Sequence, residues 1–351
     1  MRRSTDNPWL KRFAVFTAVA TLCLIGIGGI VTSKGVGMSV PDWPTTYGYN
    51  MFLFPISKWV GGIREEHSHR LFASWVGLLT TILAVWLWIK EDRRWLRWLG
   101  VIAFFAVVLQ GVLGGLRVVL IKDEIGIFHA GLAQAFFCLM VAIAIFLSRW
   151  WQQLRSPSPA FSLAASQVKP LVLFTTGLIF LQLMLGATMR HQHAGLAVPD
   201  FPLAYGKVWP DTDPVSIDRY NRERTDVRDF NAITPAQIYL HMAHRLTAFL
   251  ILGLVVACWA RAKAISPRPE ARNPVGRLTG AWVSIITLQA VLGVVTVLKN
   301  KPADIATAHV VVGAASLALG MAISLMLSRL AQERALENNP RLQAAMAESR
   351  G

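Results

Sequence analysis

The chain is poor in charge. Of its 351 residues only 16% are charged, against about a quarter in a soluble domain, while 54% are hydrophobic and the mean hydropathy is +0.45. That excludes an ordinary soluble globular domain. Cysteine is almost absent: Cys23, Cys138 and Cys258 all fall inside apolar runs and none forms a CxxC. A disulfide framework and a thiolate metal site are thereby excluded, and the three read as small packing residues. Acidic residues are the scarcer sign, 20 against 35 basic, giving a net charge of +15 and a pI near 10.4. In a chain made of long apolar runs this excess belongs to basic loops on one side of a membrane rather than to a nucleic-acid surface. No small-residue cleavage pattern follows the first apolar run, so that run reads as a retained helix and not a signal peptide.

Eight apolar runs, near residues 13–33, 68–89, 97–119, 126–148, 170–190, 240–261, 279–298 and 305–328, each approach the span of a bilayer. Helices are the expected form, because backbone exposed to lipid must satisfy its own hydrogen bonds. Lys and Arg concentrate at the N-terminus (Arg2, Arg3, Lys11, Arg12), after the second run (Lys90, Arg93, Arg94, Arg97), after the fourth (Arg149, Arg155, Lys169), after the sixth (Arg261, Lys263, Arg268, Arg272, Arg277) and in the tail. Eight spans put all of these on one face, so both termini are expected in the cytoplasm. The long loop after the fifth run mixes Arg219, Arg222, Arg224 and Arg228 with Asp211, Asp213, Asp218, Glu223, Asp226 and Asp229, and counts for little.

The runs repeat. GVGMSVPDWPTTYG (35–48) follows the first and AGLAVPDFPLAYG (194–206) the fifth. LQGVLGG (109–115), LQLMLGA (181–187) and LQAVLGV (288–294) share one pattern; His69-Arg70 matches His244-Arg245, and His129 matches His309. The expected fold is all-α and polytopic: eight transmembrane helices in two tandem four-helix bundles, residues 1–155 and 168–330, with a cytoplasmic tail at 331–351. A four-helix repeat returns the chain to its starting side, so the bundles should be related by a pseudo-twofold axis along the membrane normal.

The histidines carry the chemistry. His69, His129, His244 and His309 open the second, fourth, sixth and eighth runs, with 60 residues between the first two and 65 between the last two. One pair per half, on helices facing across a bundle core, is the arrangement that holds a haem by two imidazoles. Zinc lacks a third and fourth ligand at helical spacing. His67 lies about 200° around the helix from His69 and cannot serve the same iron; it reads as a polar residue at a loop end. Glu66 shares a face with His69, as His241 does with His244. Glu66 fits two roles, a proton-accepting group beside a ligand or, with Glu65, a first-turn acid at a helix dipole. One pocket then has a carboxylate where the other has an imidazole. Arg70 and Arg245 suit either haem propionates or interfacial anchoring. His191 and His193 read as facing water. The VPDWP and VPDFP segments read as rigid capping turns.

Taken together, the EHSHR and HMAHR segments, the repeated LQ-x-x-LG, the single helix-start histidines and the PDWP/PDFP loops resemble the haem A synthase family over residues 10–330. The resemblance implies oxidation of the C8 methyl of haem O to a formyl group through hydroxylated intermediates, in a bacterial inner membrane. It implies that His69 and His129 frame the substrate haem with Glu66 as the reaction-supporting acid, and that His244 and His309 are axial ligands of a resident haem b. It further implies contact with haem O synthase, an electron acceptor, membrane lipid and homo-oligomers. Cysteine pairs found in the outer loops of some members are missing here, as in the proteobacterial and mitochondrial branch. The competing expectation is a bis-histidine dihaem electron-transfer cytochrome, which predicts equivalent pockets. A transporter, the third, would need Pro/Gly-broken midplane helices in matched pairs.

Overall fold

A computed structural model describes residues 7–156, 158–224, 232–265 and 274–337. Arg2, Arg3, Asp226, Arg228, Asp229, Arg268, Arg272 and tail residues 338–351, used above for orientation, lie outside the described residues. Ten α-helices are described: α1 (Pro8–Ser33), α2 (Gly62–Lys90), α3 (Arg94–Leu120), α4 (Asp123–Phe146), α5 (Arg149–Gln153), α6 (Pro159–His191), α7 (Pro214–Glu223), α8 (Pro235–Ala264), α9 (Pro274–Leu298) and α10 (Ala303–Glu337). Eight of them, all but α5 and α7, are long and apolar enough to cross a membrane. The protein is an all-α multi-pass membrane protein.

The helices exceed the apolar runs because their polar first turns are capped. Asn7 accepts from the amides of Trp9 and Leu10 ahead of α1, and Pro8 supplies a first-turn residue that needs no donor. Ser158 caps α6 beside Pro159, so residues 159–167, expected in the linker, form its first turns. Thr234 and Gln237 close a capping box on α8.

Helices α1 to α4 pack as a ring in chain order that closes from α4 to α1; α6, α8, α9 and α10 make a second ring closed from α10 to α6. The rings meet through α1 on α10 and through α4 on α6 and α10. Each has its own apolar core, one around Leu83, Leu87, Met140 and Ile143, the other around Val255, Trp282, Met326 and Leu327. Trp282 is fully buried and donates its indole N–H to the Ser316 carbonyl at 2.9 Å, which ties α9 to α10. Between the rings, Arg190 at the end of α6 donates to the Gly29 carbonyl (2.8 Å) and Ser33 Oγ (2.9 Å) of α1.

Candidate haem sites

The four histidines stand between the seventh and tenth residue of their helices, roughly 9–14 Å from the helix start at 1.5 Å per residue. Every one projects from a helix that starts at the same end of the molecule. His69 on α2 and His129 on α4 come from opposite corners of the first ring and lie near enough to interact electrostatically; His244 on α8 and His309 on α10 do the same in the second. No cluster of three or more His, Cys, Asp or Glu suited to a metal ion occurs among the described residues.

Each imidazole edge rests on a glycine of a neighbouring helix. A Cβ at Gly28 would stand 3.0 Å from His69 Cε1; at Gly114, 3.3 Å from His129; at Gly186, 3.3 Å from His244; at Gly293, 3.1 Å from His309. The rings therefore occupy notches that a larger residue would fill. Nδ1 of His309 bonds the Gln289 carbonyl at 3.0 Å, while Nδ1 of His69, His129 and His244 is buried with no partner among the described residues. A histidine that binds iron through Nε2 carries its proton on Nδ1 and needs an acceptor there. Pairs of imidazoles and no closed four-ligand cage fit a planar iron porphyrin better than a structural zinc.

The two loops over this end are built alike. In residues 35–48 Asp42 accepts from the amides of Tyr47 (2.7 Å) and Gly48 (2.8 Å), and in 194–206 Asp200 accepts from Tyr205 (2.7 Å) and Gly206 (2.9 Å). Tyr47 and Tyr205 donate their hydroxyls back to the Ser39 and Ala197 carbonyls. Tyr47 and Tyr205 themselves adopt φ of 50° and 53°, a left-handed turn held by those bonds. Burial pushes the Asp42 carboxyl up, but the bonds from Gly48, Thr45 and Tyr47 outweigh it and hold the group below its ordinary value of 3.8.

Arg70 and Arg245 are the posts on which these loops hang. Arg70 donates to the carbonyls of Val40, Asp42 and Thr45 and to Glu66 Oε1 (2.8 Å), and Arg245 to those of Val198, Asp200 and Leu203. Among the described residues, only the Nε–H of Arg70 is left for another acceptor. Glu66 is buried, and its second oxygen accepts from the Val40 amide at 2.8 Å. Its counterpart His241 is also buried, with Nδ1 3.1 Å from the Ala194 carbonyl.

Two expectations about histidines need correction. His67 is fully buried between the rings of Phe54 and Trp59, with Nδ1 3.2 Å from Thr46 Oγ1; it lies inside α2 as an aromatic-boxed packing residue and not at a loop end. His191 is also turned inward, its side chain 8% exposed and Nδ1 3.5 Å from Asp123, because α6 packs on α4 where Gly126 leaves room for the ring. His193 is exposed as expected.

Sequence reading missed two groups. Arg117, near the first histidine pair, has a buried Nε without a partner among the described residues, and Arg190 lies near His309; a charged residue near the end of an apolar run was the available signal. The glutamines of LQ-x-x-LG were read only as repeat markers, yet Gln110 donates to the His129 carbonyl (3.1 Å) and Gln182 to that of His244 (2.8 Å).

Residues 63–321 match the family model described as cytochrome oxidase assembly protein. A heme A synthase of Shouchella clausii (strain KSM-K16) is 31% identical over 61% of this chain and 70% of its own. A heme A synthase of Bacillus cereus (strain 03BB102) is 25% identical over 86% of this chain and 88% of its own. With histidine pairs seated across two rings and the family model spanning both, the chain belongs to the haem A synthase family of cytochrome oxidase assembly proteins.

Proposed function

We propose that this protein is a haem A synthase that oxidises the C8 methyl of haem O to a formyl group by way of hydroxylated intermediates. In this reading His69 and His129 hold the substrate haem. His244 and His309 would hold a resident haem b, which would pass the electrons removed from the methyl carbon on to an external electron acceptor. The observation that carries it is the inequality of two otherwise parallel pockets: Glu66 stands one helical turn before His69, where His241 stands one turn before His244. An electron carrier has no use for that difference. Glu66 is buried beside the guanidinium of Arg70, a place where a carboxylate can hold or pass a proton next to the reacting porphyrin edge.

Two features support the remaining parts of the reading. Arg117 lies near both histidines of the first pair and Arg190 near His309 of the second, so each pocket would have a guanidinium nearby for propionates besides the Nε–H of Arg70 and Arg245. The repeat and the two closed rings support a pseudo-twofold axis along the membrane normal relating residues 1–155 to 168–330, with basic loops and both termini cytoplasmic. Haem O synthase is the partner such an enzyme would meet, because its product is the substrate here.

The test is haem extraction and chromatography of the purified protein from cells with and without a haem O source, beside an optical spectrum. The expected outcome is resident haem b plus conversion of haem O to hydroxylated and formyl species. Glu66→Gln, which keeps an acceptor for the Val40 amide, should retain haem and lose conversion. Two haem b per chain with haem O neither bound nor altered would make the protein an electron carrier.

A further inference from the structure

The seat of His69 lacks a residue that the other three possess. In α3, α6 and α9 a glutamine precedes the notch glycine by four residues, Gln110 before Gly114, Gln182 before Gly186 and Gln289 before Gly293, so both face the histidine. In α1 the residue four before Gly28 is Leu24. The glutamines touch their histidines. Gln110 and Gln182 donate to the carbonyls of His129 and His244 at 3.1 and 2.8 Å. Gln289 has its amide nitrogen 3.4 Å from His309 Nε2 and its main-chain carbonyl on His309 Nδ1. The Oε1 atoms of all three glutamines are buried without a partner among the described residues.

Those orphan oxygens and the orphan Nδ1 atoms of His129 and His244 are complementary. When Nε2 binds iron the proton is fixed on Nδ1, and a buried amide oxygen in the same helix pair is the acceptor at hand. Donation of that proton makes an imidazole a stronger ligand and fixes its ring plane; losing such a partner typically weakens metal binding 10–100-fold. His69 Nδ1 is buried and, among the described residues, unpartnered too, but Leu24 has no side-chain acceptor to offer it.

Resting on the reading that the histidine pairs bind haem, we propose that Leu24 makes His69 the labile ligand of the four, so that the first pocket exchanges its haem by release on the α2 side while His129, His244 and His309 hold fast. A substrate porphyrin must enter and leave, whereas a resident one must stay. A single missing amide at one of four repeated seats supplies that difference without altering the ligand set.

The experiment uses the full-length protein, purified in detergent with the haem it carries from cells that make haem O, and follows transfer of haem to excess apomyoglobin. The expected result is two phases, the fast one abolished by His69→Ala. Leu24→Gln should slow the fast phase by about 10–100-fold and lower the reduction potential of that haem, because a more basic imidazole favours the ferric state. Leu24→Met, similar in size but without an amide oxygen, should behave as wild type, and Gln182→Leu should hasten the slow phase. If Leu24→Gln and Leu24→Met transfer haem alike, or if the fast phase survives His69→Ala and disappears in His244→Ala, the proposal is overturned. If neither histidine variant changes the bound haem, the haem-binding reading fails, and the proposal falls with it.

Discussion

The first and second pockets share a frame and differ in what fills it. Both have a loop hung on an arginine, an aspartate holding a tyrosine–glycine turn, and histidines set on glycines. In the first, Gly114 is followed by Gly115, against which the ring of Trp43 lies so closely that a Cβ there would clash with it. In the second, Gly293 is followed by Val294, and the loop aromatic Phe201 stacks instead on Phe249 at 6.4 Å and near Arg245. Glu66 with His67 and Thr46 in one half answers to His241 with Met242 and Ala204 in the other. Duplicated backbone with unequal polar contents indicates that the frame serves the porphyrin and the contents serve the chemistry.

The sharpest way to break the comparison is to remove one ligand from each side. His244→Ala is expected to abolish the resident haem b spectrum, and His69→Ala to leave that spectrum while conversion of haem O falls to background. Spectra and extracted haems of the two variants decide it; identical spectral losses would mean equivalent pockets.

The next largest effect concerns Trp43. Gly115→Ala forces Trp43 off its seat, and overpacking of this kind costs about 1–3 kcal/mol. Val294→Ala, at the matched position in α9, removes only two methyl-sized contacts from a half-buried residue and should cost less than about 1.5 kcal/mol. Thermal unfolding in detergent, followed by far-ultraviolet dichroism, reads both; equal losses would show that the loop over the first pocket is not held by this contact.

The notches themselves come third. Gly28→Ala and Gly293→Ala bring a methyl to 3.0 and 3.1 Å from the imidazoles, so the rings must retreat by a few tenths of an ångström and haem content should fall in both. Gly77→Ala and Gly253→Ala meet nothing within 4 Å; they should keep full haem content and gain about 0.5–1 kcal/mol from a better helix former. Haem-to-protein ratio and melting temperature together separate a notch effect from a helix effect.

What the sequence made legible follows from periodicity and repetition. Eight spans, the four histidines, the His69/His129 and His244/His309 proximity and the matched loops can all be read from apolar length and recurring motifs. Helix starts were legible only in part: Glu65 and Glu66 could be read as first-turn acids, but GIREEHS is too polar to count as apolar run, and α2 begins at Gly62. Apart from Glu66, the partners of Arg70 and Arg245 were hidden for a related reason, being main-chain carbonyls 25–47 residues away that no side-chain spacing encodes. Glycines are frequent in membrane helices for many causes, so Gly28 or Gly293 announces nothing until a histidine is seen against it. His191 was misplaced because a helix end beside a polar loop looks wet unless the packing of α6 on α4 is known.

The smallest effect tests the loop frame alone. Asp42 has its folded-state pKa held below 3.8 by three bonds within residues 42–48, so its contribution to loop stability is present above the unfolded value and is lost as pH falls through the lower folded value. The fluorescence difference between wild type and Trp43→Phe should therefore stay constant from neutral pH to about pH 4 and change only below it. Asp42→Asn, which cannot titrate and accepts fewer bonds from Thr45, Tyr47 and Gly48, should show an altered difference that is already present at neutral pH and flat through the acid range. If the acid change persists in Asp42→Asn, another carboxylate holds the loop, and the likeness of the two loops does not rest on their aspartates.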